Sequence, residues 1–191
     1  MTSSTKFFYR HLLWLLISWG VIAPTQASDP KPIDQVTVMG INPLKHSLNS
    51  VRRHLWNIGG FKQAAFSVRK RNVDKFFAVT RATESYYLEF FYDNAGKITS
   101  VYQLFRPVSY RFSESKTALT TQDIAKDIQQ QIGEPTLIQT KGQNGSPNYA
   151  AYIWQDDKIM VKIDREDNDA FGNIYVQYIV NQRNPYWVSL Q

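Results

Sequence analysis

The sequence contains no cysteine, only three histidines, and no apolar run as long as the roughly 20 residues of a membrane-spanning helix. Disulfides, a cysteine nucleophile and a lipid-modified cysteine are therefore excluded. No G-x-S-x-G, P-loop or dinucleotide-binding glycine pattern occurs. His46 and His54 lack the neighbouring ligands that a zinc site needs. These absences predict that the protein is not an enzyme and that it holds no metal or other cofactor.

The N-terminal residues have the order of a secretory signal peptide. Lys6 and Arg10 precede an apolar run at residues 12–22, and a stretch of small residues ends at Ala27. The run is too short to span a bilayer, although an uncleaved N-terminal anchor is the alternative. Export together with the absence of cysteine is typical of a bacterial periplasmic or secreted protein.

The charge is unevenly distributed along the chain. Residues 41–112 carry twelve Lys and Arg against four Asp and Glu, whereas residues 113–191 carry seven against ten. The first half is thus basic and the second mildly acidic. The predicted organisation is a signal peptide (1–27), a leader with a short strand at Gln35–Met39 (28–40), a basic helix-and-sheet unit (41–112), a mildly acidic helix-and-sheet unit (113–183) and a C-terminal tail (184–191).

Two segments have the pattern of short amphipathic helices. Ser47 can cap a helix at Leu48–Asn57 that Gly59 and Gly60 end. Thr120 can cap a second helix, in which Ile124, Ile128 and Ile132 share one face. Each helix is followed by segments that alternate with period two, namely 61–70, 74–81, 85–93 and 97–108, and then 136–141, 149–155, 158–165 and 173–181. We therefore predict an α+β fold of two tandem units, each a short helix followed by an antiparallel sheet of about four strands.

The pattern of capped helix, glycine stop and strand meander resembles the BamE family and, as a tandem pair, the β-lactamase inhibitor protein family. The resemblance implies a rigid sheet whose open face binds another protein. It rests on Ser47, Val51, Leu55 and Gly59-Gly60 in the first unit and on Thr120, Ile124, Ile128 and Ile132 to Pro135 in the second.

Aromatic residues alternate along several predicted strands, which predicts a binding surface on the open side of the sheet. The leading functional hypothesis is an exported module of inhibitor, assembly-factor or scaffold type that binds a protein partner. The alternative for these rings is packing under the tail or against the other unit. The residues assigned to the partner-binding face are Tyr87, Phe91, Tyr152, Trp154 and Tyr175.

The basic first unit supports a second hypothesis, the binding of anionic lipid or phosphate head groups in the bacterial envelope. No nucleic acid partner and no transmembrane segment in the exported chain are expected. A solvated turn between two strands is the alternative interpretation of the basic run. The residues assigned to anion binding are Arg52, Arg53, Arg69, Lys70 and Arg71.

An acidic segment at residues 164–172 partly matches a calcium-binding loop. Asp164, Glu166 and Asn168 occupy its first, third and fifth positions. However, Asp169 stands where the loop needs glycine, and Tyr175 stands where it needs a bidentate glutamate. We therefore interpret the segment as a solvated hairpin loop without a metal.

The signal-peptide pattern predicts a mature N-terminus at Ser28. Mass spectrometry of the protein recovered from the cell envelope should detect a peptide that begins at Ser28. Intact peptides containing Met1 or Lys6 in most molecules would contradict this prediction.

Overall fold

The computed structural model describes residues 32–79, 85–106, 119–142, 148–168 and 172–181. The predicted signal peptide and the C-terminal tail lie outside these residues. Helix α1 spans Leu48–Ile58 and helix α2 spans Thr121–Ile132. The strands are β1 (Phe61–Gln63), β2 (Val73–Ala78), β3 (Ser85–Tyr92), β4 (Ile98–Phe105), β5 (Leu137–Lys141), β6 (Tyr149–Gln155), β7 (Ile159–Arg165) and β8 (Ile174–Val180).

All eight strands belong to one antiparallel sheet, in the order β1-β2-β3-β4-β8-β7-β6-β5. Strand β4 pairs with β8 over the register Ser100↔Ile179 to Phe105↔Ile174. The predicted fold class, two tandem units that each have a sheet of about four strands, is therefore wrong. The physical reason is that a strand edge with unpaired backbone groups forms hydrogen bonds wherever a matching edge is available. Here β4 and β8 supply those edges to each other.

The two helices begin and end as their sequences predict. In α1 the Ser47 amide donates to the Ser50 hydroxyl at 2.7 Å, and Val51 and Leu55 are buried. In α2 the Thr120 side chain accepts from the Asp123 amide, and the Asp123 carboxylate accepts from the Thr120 amide at 3.0 Å. These bonds satisfy amides that have no partner within a helix.

Both helices pack on the same face of the sheet, where their apolar sides join a single core cluster. Cross-strand register explains which strand residues reach this cluster, because directly paired residues point to the same face. Two rows of paired residues cross the sheet on the helix-bearing face: Leu88, Gln103, Val176, Ile163 and Tyr152, and Phe90, Val101, Tyr178, Val161 and Trp154.

Gly133 joins the end of α2 to the sheet. Its φ of 83° lies in the left-handed region, where a residue with a Cβ is disfavoured. Its carbonyl oxygen accepts the indole N–H of the fully buried Trp154 at 2.8 Å. The helix stop therefore also satisfies the only polar group of a large core side chain.

Two predicted strands take other forms. At Gln35–Met39 the chain makes a 3-10 turn that ends at Gln35 and then an isolated bridge between Val38 and Ile41, because Met39 and Gly40 both have positive φ and reverse its direction. The strand predicted over residues 61–70 ends at Gln63.

Among the described residues, neither helix combines the length and apolarity needed to cross a bilayer.

Helix burial gives a stability prediction. Leu55 and Ile128 are 1% and 3% exposed, so Leu55→Ala and Ile128→Ala should each lower the free energy of unfolding by about 2–5 kcal/mol. Urea denaturation measures the change. Gln130→Ala, at an exposed position of α2, is the control and should change stability by less than about 0.5 kcal/mol. Equal, small effects at all three positions would mean that the helices are not core elements.

Candidate functional site

The sheet face opposite the helices, here called the open face, carries a mixture of aromatic and charged side chains. One row across it pairs Glu89 of β3 with Tyr102 of β4, Tyr102 with Gln177 of β8, and Gln177 with Lys162 of β7. All four side chains are half-buried. Neither helix of the described chain packs on this face.

Three tyrosines of adjacent strands form a stack at the centre of the open face, here called the tyrosine stack (Tyr87, Tyr102 and Tyr175). The Tyr87 and Tyr102 ring centroids are 6.1 Å apart, and those of Tyr102 and Tyr175 are 5.2 Å apart. The interplanar angles are 26° and 20°. The stack thus presents one aromatic surface that spans β3, β4 and β8.

Lysine side chains bracket the tyrosine stack. The Lys75 ammonium lies 3.6 Å from the Tyr87 ring centroid and 3.6 Å from the Glu89 carboxylate. At the other end, the Lys162 ammonium lies 5.8 Å from the Tyr175 ring centroid. Cation–π attraction holds these cations at the rings and orients the aromatic surface.

The hydroxyl groups of the stack stay protonated at neutral pH. Burial, assisted by the nearby Glu89 carboxylate, raises the pKa of Tyr87 to about 12. Burial and the Glu166 carboxylate likewise raise the pKa of Tyr102, and burial raises the pKa of Tyr175. Each tyrosine is therefore neutral, and the Tyr102 hydroxyl donates to the Glu166 carboxylate at 3.5 Å.

Next to the stack lies a charged group, here called the Asp164 network (Asp164, Lys141, Lys162 and Tyr149). The Asp164 side chain is only 2% exposed and pairs with Lys141 of β5 and, at 2.9 Å, with Lys162. The Tyr149 hydroxyl donates to its second carboxylate oxygen at 2.7 Å. One buried carboxylate thus joins β5, β6 and β7 on the open face.

The donors around Asp164 keep it ionised. Burial by itself would raise the pKa of this carboxyl, but hydrogen bonds from Lys141, Lys162 and Tyr149 outweigh burial and lower the pKa to about 2. Asp164 therefore holds both lysine side chains near the tyrosine stack over the whole physiological pH range.

Three of the five predicted partner-binding residues lie on the open face, since Tyr87 and Tyr175 are half-buried there and Phe91 is 39% exposed. The placement of Tyr152 and Trp154 on that face is wrong. Their register partners, Ile163 and Val161, point to the helix-bearing face, and the two rings are only 8% and 0% exposed. Ile153, half-buried, takes the open side of β6 instead.

Sequence reasoning missed Tyr102 and the role of Asp164. The alternation of β4 could have indicated Tyr102, but only the pairing with β8 shows that its ring contacts Tyr175. The interpretation of Asp164 as part of a solvated loop is wrong, because this residue belongs to β7 and is buried under two lysines.

Among the predicted anion-binding residues, Arg52 is already engaged by the protein. Its guanidinium donates to both carboxylate oxygens of the buried Asp74, at 2.8 and 2.7 Å. Arg53, Arg69, Lys70 and Arg71 are exposed. The predicted anion-binding set is therefore divided between one structural residue and four at the surface.

The two histidines of the described residues, His46 and His54, serve local structure. A His54 ring nitrogen lies 2.8 Å from the Met39 carbonyl oxygen, and His46 contacts the backbone of Asn42. Their ring centroids are 6.4 Å apart. Within the described part of the chain, no group of three or more His, Cys, Asp or Glu side chains is placed to hold a metal ion.

No protein-family model, curated protein or solved structure matches this chain. The resemblance to BamE-like and β-lactamase-inhibitor-like units therefore stays a prediction, and function must be inferred from the surfaces described above.

The Asp164 network predicts an acid-dependent contribution to stability. Since folding lowers the Asp164 pKa from 3.8 to about 2, its ionised form contributes about 2 kcal/mol above about pH 4, and this contribution is lost as the pH falls toward 2. Asp164→Asn should therefore be less stable than the native protein at pH 7, and the gap should narrow between about pH 4 and pH 2.

Urea unfolding of both proteins across this pH range provides the measurement. Asp157→Asn, at an exposed position, is the control and should follow the native curve. A stability gap that stays constant down to pH 2 would show that the carboxylate charge does not carry the contribution.

Proposed function

We propose that the protein is a binding module that engages a protein partner through its open face, with the tyrosine stack at the centre of the contact. The observation that carries this proposal is the continuous stacking of Tyr87, Tyr102 and Tyr175 across three adjacent strands on the face that the helices leave uncovered. Tyrosine is among the residues that most often dominate the energy of protein–protein contacts.

Rigidity makes this surface suitable for binding. The three rings are attached to sheet strands, and each packs against a neighbour, so little side-chain freedom remains to be lost on association. A pre-ordered aromatic surface therefore retains more of its contact energy than mobile side chains of the same size would.

The charges around the stack favour specificity. Lys75 pairs with Glu89 at one end, and Lys162 pairs with Asp164 at the other. Because both cations have acidic partners, the surface has no large field of one sign. It suits a partner with an apolar or aromatic anchor surrounded by hydrogen-bonding groups, and charge placement then sets its orientation.

Because we expect the chain to be exported, we propose that this partner lies outside the cytoplasm. Inhibitor, assembly-factor and scaffold roles all use a contact of this kind, and each would be served by the same surface. Binding through the open face is therefore the proposed mode of action, and the partner can be identified by direct capture.

Capture by site-specific crosslinking tests the surface. A photoreactive benzoylphenylalanine at Phe91 of the open face should form a covalent adduct with one protein partner in the cell envelope. The matched control is the same group at Ile138, which is 55% exposed and pairs with Tyr152, so that it points to the helix-bearing side. Adducts of equal yield at both positions would argue against the open face.

Once the partner is purified, binding can be measured by calorimetry. Tyr87→Ala and Tyr175→Ala should each weaken binding by more than about 1 kcal/mol, the level that separates a dominant contact from a peripheral one. Ile138→Ala should leave the affinity unchanged. Thermal melts of each variant check the fold, and unchanged affinity in folded Tyr87 and Tyr175 variants would refute the proposal.

A further inference from the structure

A second surface, on the helix-bearing side and at the β1–β2 edge, combines exposed apolar rings with cations. We call it the α1 patch. Trp56 of α1 is 86% exposed, and Phe66 and Val68 of the β1–β2 connection are 54% and 51% exposed. The exposed cations of the patch are Arg53, Arg69, Lys70 and Arg71.

A buried hub anchors the patch to the sheet. Asp74 is fully buried. Its carboxylate accepts hydrogen bonds from the Arg52 guanidinium, from the Gln63 side-chain amide at 2.6 Å and from the Tyr92 hydroxyl at 3.4 Å. The same Arg52 guanidinium donates to the Lys70 carbonyl oxygen at 2.9 Å. Helix α1 and the basic connection are therefore held together and present one surface.

The β1–β2 connection has both a buried polar side chain and exposed apolar side chains. Ser67 is fully buried, and its hydroxyl donates to the Ala64 carbonyl oxygen at 2.9 Å. The flanking residues Phe66 and Val68 are exposed, and the Lys70 ammonium lies 5.6 Å from the Phe66 ring centroid. The connection thus buries the Ser67 hydroxyl and leaves Phe66 and Val68 exposed on either side of it.

Acidic side chains are nearly missing from this part of the chain. Residues 41–79 include eight Lys and Arg, and Asp74 is their only acidic residue. Since Asp74 is buried and paired with Arg52, the outer surface of the patch carries positive charge without local neutralisation. The α1 patch is therefore attracted to an extended anionic surface.

We propose that the α1 patch docks the protein onto the surface of an anionic lipid bilayer. Trp56, Phe66 and Val68 would enter the interface between head groups and acyl chains, while the surrounding cations contact lipid phosphates. A free phosphate would use the cations but leave the apolar side chains in water. The combination of both chemistries in one anchored surface therefore favours a bilayer.

Docking in this way leaves the tyrosine stack accessible, because the stack lies on the opposite face of the sheet. The proposal does not depend on the function proposed for the open face. Either surface can be disrupted by substitution without touching the other.

Vesicle sedimentation provides the test. The purified protein should bind vesicles of phosphatidylcholine with phosphatidylglycerol and should not bind vesicles of phosphatidylcholine alone. Binding should weaken strongly between about 0.1 M and about 1 M salt, where the screening length falls from about 10 Å to about 3 Å. Equal binding to both kinds of vesicle, or none to either, would overturn the proposal.

Charge variants locate the contact. The double variant Arg69→Gln/Lys70→Gln should lower vesicle binding about fivefold for each cation removed. The control, Lys126→Gln/Lys158→Gln, removes the same charge at exposed positions outside the patch and should bind nearly as the native protein does. Equal losses in both double variants would show attraction to net charge alone and would overturn docking by the patch.

The apolar part has its own test. Trp56→Ala should lower vesicle binding by roughly fivefold, as expected when about half of a large apolar side chain no longer leaves water. Ile138→Ala, an exposed apolar residue at the β5 edge, is its control. In the chain that begins at Ser28, with Trp187 replaced by Phe, brominated lipids should quench tryptophan fluorescence. Trp56→Phe in the same background should abolish this quenching because the remaining Trp154 is fully buried.

Two further results would also refute bilayer docking. One is vesicle binding that persists in Trp56→Ala while inorganic phosphate competes it away, which would indicate a phosphate site. The other is saturable binding of the patch to an acidic protein with no binding to anionic vesicles.

Discussion

The antiparallel pairing of β4 with β8 is the contact on which the rest of the structure depends. It joins two sets of four strands by their inner edges and, among the described strands, leaves β1 and β5 at the edges of the sheet. Because side chains alternate strictly along a strand, this register also decides which face of β1–β4 continues into which face of β5–β8. The contact between the Tyr102 and Tyr175 rings follows from it.

The two helices bury one face of the sheet and leave the open face for binding. Helices α1 and α2 cover rows of aliphatic and aromatic residues, and large rings such as Phe90 and Trp154 are used there for packing. On the open face the tyrosine stack forms instead, because Tyr87, Tyr102 and Tyr175 come from adjacent strands with compatible registers. Aromatic residues thus pack the core on one side of the sheet and form a surface on the other.

Two buried carboxylates stabilise the surfaces in similar ways. Asp74 ties the basic connection to α1 through Arg52, and Asp164 ties Lys141 and Lys162 to the centre of the open face. Each lies inside the protein with several donors, which makes the loss of either one costly. In both cases the buried carboxylate positions nearby cations. These ion pairs therefore set where positive charge lies on the surfaces that we propose for a partner and for a bilayer.

Local patterns in the sequence were sufficient for the helices and for most strands. These elements depend on interactions between residues that are near neighbours in the chain. Examples are the capping residue Thr120, the glycine stop at Gly133 and the period-two alternation of the strands. Tertiary structure alone decided the single sheet, the burial of Tyr152 and Trp154, the contact of Tyr102 with Tyr175 and the enclosure of Asp164 by two lysines. Alternation defines two faces of a strand but does not say which one a helix will cover, and strands far apart in the chain acquire their register only when their edges meet.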